Sequence, residues 1–445
     1  MKIVIIGAGS TVFTPGLIAD LTGSARCADA TVALVDINER AATTMARYAE
    51  RVARERGVGL RVEHAADRRR VLTGADIVTV TIAVGGARAW ERDVRIPEGH
   101  GVWQTVGDSV GPGGVFRALR HVPELVAIAR DMEDLCPDAW LFNYTNPLTP
   151  LVRSVHKTSP IKCVGLCHGV LHTRAAIAHD LGLRPADLGL TAAGLNHLAW
   201  VLDLRHGGED VYPRFRELVH GWQASPPPTS GDPYEGFQEV SARLMALYGF
   251  YPSPGDRHVA EFFPYFLRRA GDDAGLAYGT QAGLDMTNRI LASRDERWDR
   301  IAEQAAGQAE LDRALFDEAR EGERLVGIVE AMAMGEPLTE LAVNVRNDGL
   351  IPNLPPEAVV EVPGLVDGRG VHGVAVGRLP DGIAALLAAR VHQQELTVDA
   401  ALAGDRALAL QALLADPLVP SVETAEAMLD EALAAHAPFL PRFAA

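Results

Sequence analysis

The chain has 445 residues, more than one hydrophobic core usually serves, so two closely joined domains are expected. Hydrophobic residues make up 48% and charged residues 22%, which is ordinary for a folded globular protein. A net charge of −16 argues against nucleic acid and against an anionic membrane surface, since both require clustered Lys and Arg.

Met1-Lys2-Ile3-Val4-Ile5-Ile6 passes from one charge into a buried strand. The apolar run is too short for a signal-peptide core, and no window reaches the roughly 18 apolar residues of a membrane span. A cytoplasmic location is therefore expected, with the four cysteines, Cys27, Cys136, Cys163 and Cys167, kept reduced. Cys163 and Cys167 have no second pair at zinc-ribbon spacing, which argues against a structural zinc site.

After the first strand comes the turn Gly7-Ala8-Gly9-Ser10, then a helix from about 15 to 21 with Pro15 in its first turn. Thr31-Val32-Ala33-Leu34-Val35-Asp36 reads as a second strand, 38–56 as a long helix and 75–82 as a third strand. Alternating apolar strands and helices predict a parallel, doubly wound sheet. Further on, 123–135 reads as helix, 139–144 and 161–166 as strands, and 290–333 and 380–440 as mainly helical. Pro226-Pro227-Pro228 marks an exposed loop. The fold class expected is α/β: an N-terminal Rossmann-type parallel sheet over residues 1–195 and a larger C-terminal α+β catalytic and oligomerisation domain over 196–445.

Gly7 and Gly9 permit a tight turn and close backbone approach to a pyrophosphate at a helix N-terminus. Asp36 ends the second strand, where a carboxylate accepts from ribose hydroxyls and favours NAD over its phosphorylated form. Val12 stands where the usual fingerprint has its third glycine. Gly7, Gly9, Ser10 and Asp36 are the candidate cofactor residues, and a plain βα turn is the alternative.

Four polar segments follow. Val84-Gly85-Gly86-Ala87-Arg88 succeeds the third strand, whose carboxyl end faces the ligand crevice in such folds, and offers Arg88 to a substrate. The glycine-rich stretch 107–114 permits approach to a ring or a phosphate, and its Asp108 joins the cofactor set. Asn146, held extended before Pro147, can bind sugar hydroxyls or nicotinamide, or simply cap a turn. Between 248 and 266, Tyr251, Asp256, Arg257, His258, Glu261 and Tyr265 crowd together, a mix that suits a sugar platform with acid–base groups and equally an aromatic core patch. Cys167 and His197 offer a thiolate and an imidazole downstream of the nucleotide signature, a pairing that suggests a metal beside a redox cofactor. Taken singly, each is more often a buried or satisfied side chain.

In their order and spacing, Gly7-Ala8-Gly9-Ser10, the 107–120 stretch, Asn146-Pro147, Cys167-His168, Asn196-His197, the 248–266 stretch, residues 344–355 and Val360-Glu361-Val362-Pro363 resemble glycoside hydrolase family 4 nearly end to end. The resemblance implies a lactate/malate dehydrogenase-like fold and an NAD- and manganese-dependent glycosidase, one of the exceptions to the two-carboxylate rule. It implies Cys167 and His197 as metal ligands and a reaction that oxidises C3, deprotonates C2, eliminates the glycosidic oxygen, adds water and re-reduces C3. It implies a base among Tyr251, Asp256 and Tyr265. His168 after the metal-binding cysteine is similar to members acting on unphosphorylated α-glycosides, best an α-glucuronide or α-galactoside, with Asn146, His168, Arg88 and Arg257 as substrate residues. It also implies a homodimer or homotetramer. The competing readings are an NAD-dependent hydroxy-acid or sugar dehydrogenase, which would accumulate NADH, and an NAD sensor, which would cleave nothing.

Overall fold

The computed structural model of the chain describes residues 1–224, 238–269, 276–316 and 324–444. Pro226-Pro227-Pro228 lies outside the described residues. Six parallel strands form the first half of one large sheet: β1 (Lys2–Ile6), β2 (Thr31–Val35), β3 (Arg61–Ala65), β4 (Ile77–Val80), β5 (Trp140–Asn143) and β6 (Lys162–Gly165). Their spatial order, 3-2-1-4-5-6, is that of a dinucleotide-binding sheet. Ile3, Val4 and Ile5 of β1 are fully buried because helices cover both faces, which is why the strand reads as an unbroken apolar run.

Beyond β6 the sheet continues antiparallel. β7 (Leu188–Leu195) and β8 (Leu198–His206) form a hairpin, followed by β9 (Glu209–Asp210), β10 (Tyr251–Ser253), β11 (Leu338–Arg346), β12 (Val359–Asp367) and β13 (Gly370–Gly373). The path runs β6-β11-β12-β7-β8-β10, with β13 on β12 and β9 on β8. The halves meet where Asn344 faces Gly165 across β11 and β6, and within the antiparallel half Glu361 faces Gly194 across β12 and β7. The 195/196 boundary drawn from the sequence falls in the two-residue turn of the β7–β8 hairpin, inside a continuous sheet.

The helices flanking the parallel half are α1 (Thr14–Gly23), α2 (Glu39–Arg56), α3 (Gly86–Gly99), α4 (Gly111–Leu135), α5 (Leu148–Thr158) and α6 (Gly169–Asp180). Asn38, read from the sequence as the first helical residue, is the cap of α2 and accepts from the Ala41 N–H. One expectation fails at α4. The helix begins at Gly111, not near 123, and Pro123 lies within it. Gly111, Gly113 and Gly114 of the glycine-rich stretch form its first turn. A Cβ on Gly113 would sit 2.7 Å from the Gly107 oxygen, and one on Gly114 would sit 2.6 Å from the Ser109 carbonyl carbon. Gly113 and Gly114 thus let the first turn of α4 pack closely on the preceding segment that carries Asp108 and Ser109. The long C-terminal helix Asp381–Ala403 packs on α4 and α5, and its buried Arg390 pairs with Asp416 at 2.5 Å. Among the described residues no helix is long and apolar enough to cross a membrane.

Candidate active site

The β1–α1 turn forms the nucleotide end. Gly7 has φ +88°, and a Cβ there would lie 2.7 Å from the Thr81 carbonyl at the end of β4. Only glycine combines that left-handed backbone with that approach. A Cβ on Gly9 would lie 2.5 Å from Asp36 Oδ2. Asp36 accepts from the Gly9 N–H at 2.8 Å and the Asn38 N–H at 2.8 Å, so the carboxylate at the tip of β2 is already oriented. Ser10 Oγ accepts from the Phe13 N–H at 3.1 Å and closes the turn into α1. Val12 and Ile37, 66% and 96% exposed, present apolar surface on either side of this cradle.

The chemical end lies where the parallel strands stop and the antiparallel strands begin, at the carboxyl ends of β5 and β6 and the β7–β8 turn. Crevices of this kind hold the ligand in open α/β sheets. His197 sits in that turn with φ +66°, a left-handed conformation uncommon outside glycine and found where function demands it. Its Nδ1 lies 2.9 Å from Ser109 Oγ, and Ser109 Oγ lies 2.9 Å from Asp108 Oδ1. Asn146 donates to Asp108 Oδ2 at 2.9 Å, and Arg117 Nε donates to the Asn146 carbonyl at 2.9 Å. The proton count decides the tautomer. Ser109 has one hydrogen, which goes to the carboxylate, so it must accept from Nδ1–H of His197. The lone pair of His197 therefore sits on Nε2.

His258 lies against His197, with ring centroids 4.0 Å apart and planes tilted by 44°. One ligand atom each from Asp108, His197 and His258 falls within 4.8 Å of the others. Burial opposes charge on Asp108, yet His197, His258, Arg117 and the Ser109 hydroxyl leave its carboxyl below the usual range. Burial pushes His197 below the ordinary imidazole value and His258 well below it. The cluster thus offers one carboxylate and two imidazoles, a donor set that fits a divalent cation. Asn196 Oδ1, beside His197, is a buried acceptor without a hydrogen-bond partner.

Cys167 follows β6. Its Sγ accepts from the Gly169 N–H at 3.4 Å. Burial, with Glu361 and Asp108 adding to it, pushes the thiol up to about 12, so a thiolate there needs a cation beside it. Glu361 on β12 accepts from Asn344 at 2.9 Å and Asn196 at 3.2 Å, and burial raises it to about 7 against those two bonds. His168, half-buried, immediately precedes α6 and stacks on His172 with centroids 5.9 Å apart. Cys167 and His168 line a narrow slot with Tyr144, Leu171 and the Arg324–Glu340 ion pair, whose two contacts are 2.6 and 3.0 Å.

The remaining sequence-derived candidates scatter. Asp256 gives both oxygens to the start of the helix Glu239–Tyr248, accepting from the Val240 N–H at 2.8 Å and from Ser241 N–H and Oγ–H at 2.8 and 2.7 Å. Burial raises it to about 6. Tyr251 on β10 packs edge-on to Phe215 at 5.2 Å, and burial raises its hydroxyl well above the ordinary phenol range. Tyr265 is 49% exposed and lies against Phe263 and Phe266. Arg88 is exposed on α3 and lines a surface groove with Arg92, Leu291 and Arg294. The Arg257 carbonyl accepts from Thr105 Oγ1, and its guanidinium lies near enough to His258 to disfavour a charge there.

Glu261 is the residue that sequence reasoning undervalued. It is 1% exposed, and its Oε1 accepts three consecutive backbone N–H groups, from Thr105 at 3.0 Å, Val106 at 2.8 Å and Gly107 at 2.7 Å. It thereby holds the segment leading to Asp108 and Ser109. The crowding of polar residues at 248–266 marked the segment, but nothing local separates Glu261 and His258 from their neighbours. Ser109 carried no signal beyond its place in a glycine-rich run.

Fold and site together define an α/β protein of the malate dehydrogenase type, with a nucleotide cradle at one end of the crevice and a carboxylate–imidazole cluster at the other. A malate dehydrogenase of Cryptosporidium parvum shares this fold at a TM-score of 0.54 and 18% identity, over 90% of this chain and 98% of that one. The pattern of the family 4 glycosyl hydrolases matches residues 2–183, and that of the family 4 glycosyl hydrolase C-terminal domain matches residues 192–419. The chain belongs to the family 4 glycosyl hydrolases and is a glycosidase by membership. It is 32% identical to an alpha-galactosidase of Bacillus subtilis over 99% of both chains. It is 34% identical to an alpha-galacturonidase of the same organism, over 94% of this chain and 93% of that one. The lplD protein of Bacillus subtilis superposes at a TM-score of 0.86 with 31% identity, covering 97% of this chain and 99% of that one. A 6-phospho-alpha-glucosidase from gut microorganisms, solved with NAD and glucose-6-phosphate, superposes at 0.82 with 25% identity over 99% of both chains.

Proposed function

We propose that this protein hydrolyses unphosphorylated α-glycosides, best an α-glucuronide or α-galactoside, with NAD and a divalent ion such as manganese. The observation that carries the reading is the Asp108–Ser109–His197 relay, which leaves His197 Nε2 as an electron-pair donor beside a crevice whose other end is a nucleotide cradle. When bound, NAD supplies reversible hydride acceptance at the sugar, and the divalent ion supplies Lewis acidity.

The chain's own residues bind and orient. Gly7 and Gly9 open the cradle for a pyrophosphate, with Ser10 closing the turn, and Asp36 meets the ribose hydroxyls. Cys167 and His197 hold the ion, and Asp108 balances its charge. Asn146 donates to Asp108 and borders the sugar, while His168 lines the slot beside Cys167. The C2 proton goes to a base among Tyr251, Asp256 and Tyr265; Asp256 shares the short helix Asp256–Val259 with His258, with its two oxygens accepting from Val240 and Ser241. Two features favour an unphosphorylated sugar: His168 after the cysteine, and a slot whose Arg324 charge is balanced by Glu340. The names of relatives, alpha-galactosidase and alpha-galacturonidase, agree with that choice. Arg257 and Arg88 are the cations left for a uronate carboxylate.

The test is a panel of nitrophenyl α-glycosides, with glucuronide, galacturonide, glucoside and galactoside, in the presence of NAD⁺, manganese and thiol. Release of nitrophenol without net NADH, and deuterium at C2 of the sugar formed in heavy water, are expected. NADH rising in step with product would identify a dehydrogenase instead. Full activity in Cys167→Ser would remove the thiolate from the scheme.

A further inference from the structure

We propose that His258 is a third protein ligand of the divalent ion, so that the chain meets the metal with two imidazoles. The inference rests on the metal-dependent reading above and goes beyond the Cys167–His197 pair that family resemblance implies.

Three observations lead there. The rings of His197 and His258 lie 4.0 Å apart, and the donor atoms of Asp108, His197 and His258 fall within 4.8 Å of one another. Ligands about 2.1 Å from an octahedral ion lie about 3 Å apart in cis and about 4.2 Å apart in trans, so the cluster is within a small side-chain adjustment of ligation. Second, His197 has its Nδ1–H committed to Ser109, the outer-shell arrangement that metal-bound imidazoles use to fix their tautomer. Third, the juxtaposition is built by independent fastenings. Glu261 binds the N–H groups of Thr105, Val106 and Gly107, and Thr105 Oγ1 donates to the Arg257 carbonyl. These bonds clamp the segment that carries Asp108 to the short helix that carries His258. Arg390, from the C-terminal helices, donates to the carbonyls of Glu261 and Phe262 at 3.3 and 3.2 Å and holds the turn from behind. His258 is 9% exposed, so its ring is largely shielded from bulk water.

The test uses the full-length protein with Mn²⁺ alone and with Mn²⁺ plus NAD⁺. Pulsed EPR on natural and ¹⁵N-histidine-labelled protein counts the imidazole nitrogens coupled to the ion. Two are expected in the wild type and one in His258→Gln. Titration of the free-ion EPR signal should give an affinity at least about tenfold weaker in His258→Gln, since even outer-shell partners of a ligand are worth that much. The fold of the variant is checked by its melting curve and its NAD⁺ affinity, both expected unchanged. One coupled nitrogen in the wild type, or an unaltered affinity in His258→Gln, overturns the proposal and leaves the metal-dependent reading standing. A wild-type protein that binds no Mn²⁺ even with NAD⁺ overturns both.

Discussion

Replacing Glu261 by alanine removes one oxygen that three successive backbone N–H groups share, inside a segment closed to water. A buried N–H left without an acceptor costs about 1–3 kcal/mol, so three at the lower bound cost about 3 kcal/mol. Glu261→Gln keeps an amide oxygen where Oε1 stands. Burial raises the Glu261 carboxyl to about 8, so near neutral pH it is largely an uncharged acceptor and the amide should retain most of the stabilisation. The loss falls first on residues 105–109, whose order sets Asp108 and Ser109 against His197. Hydrogen-exchange mass spectrometry of the peptide spanning 105–109 reads this locally. Exchange should accelerate strongly in Glu261→Ala and less in Glu261→Gln, with Mn²⁺ affinity falling in the same order. Wild-type exchange and wild-type metal affinity in Glu261→Ala would refute the positioning role.

Gly7→Ala should abolish tight NAD⁺ binding. The left-handed backbone costs alanine about 1–2 kcal/mol before any contact with the Thr81 carbonyl is counted, and 2 kcal/mol alone is roughly thirtyfold in affinity by calorimetry. Glu361 makes stability depend on pH. Its folded value of about 7 lies above the solution value of a glutamate, so its contribution is complete below about pH 4.3 and is lost as pH rises through 7. Between pH 5 and pH 7 the loss is of the order of 2 kcal/mol, and urea unfolding of Glu361→Gln should lack it.

Much of the parallel half was legible because its signals are local. An apolar run bounded by glycine, an Asp at a strand end and an Asn at a helix start each act through neighbours a few residues away. The α4 glycines hid the helix start for the same reason: a glycine that admits a ligand and one that admits another stretch of backbone look identical in sequence. The functional candidates separated only in space. Asp108, read with the cofactor residues, is bonded through Ser109 to His197, while Asp256 turned to cap a helix start.

By itself the sequence determined the nucleotide turn with its Asp36, the order of the parallel strands' elements, and the residue types that a thiolate–imidazole metal site needs. Tertiary structure alone decided which of those residues meet. The β11–β6 and β12–β7 seams bring Asn344 and Glu361 beneath Cys167 and Asn196, and Glu261 carries the Asp108 segment across to His258. The physical reason is separation: Ser109 and His197 are 88 residues apart, Gly107 and Glu261 154, so no local propensity or period encodes their contact. Only packing of the two halves into one sheet closes those distances to hydrogen-bond length.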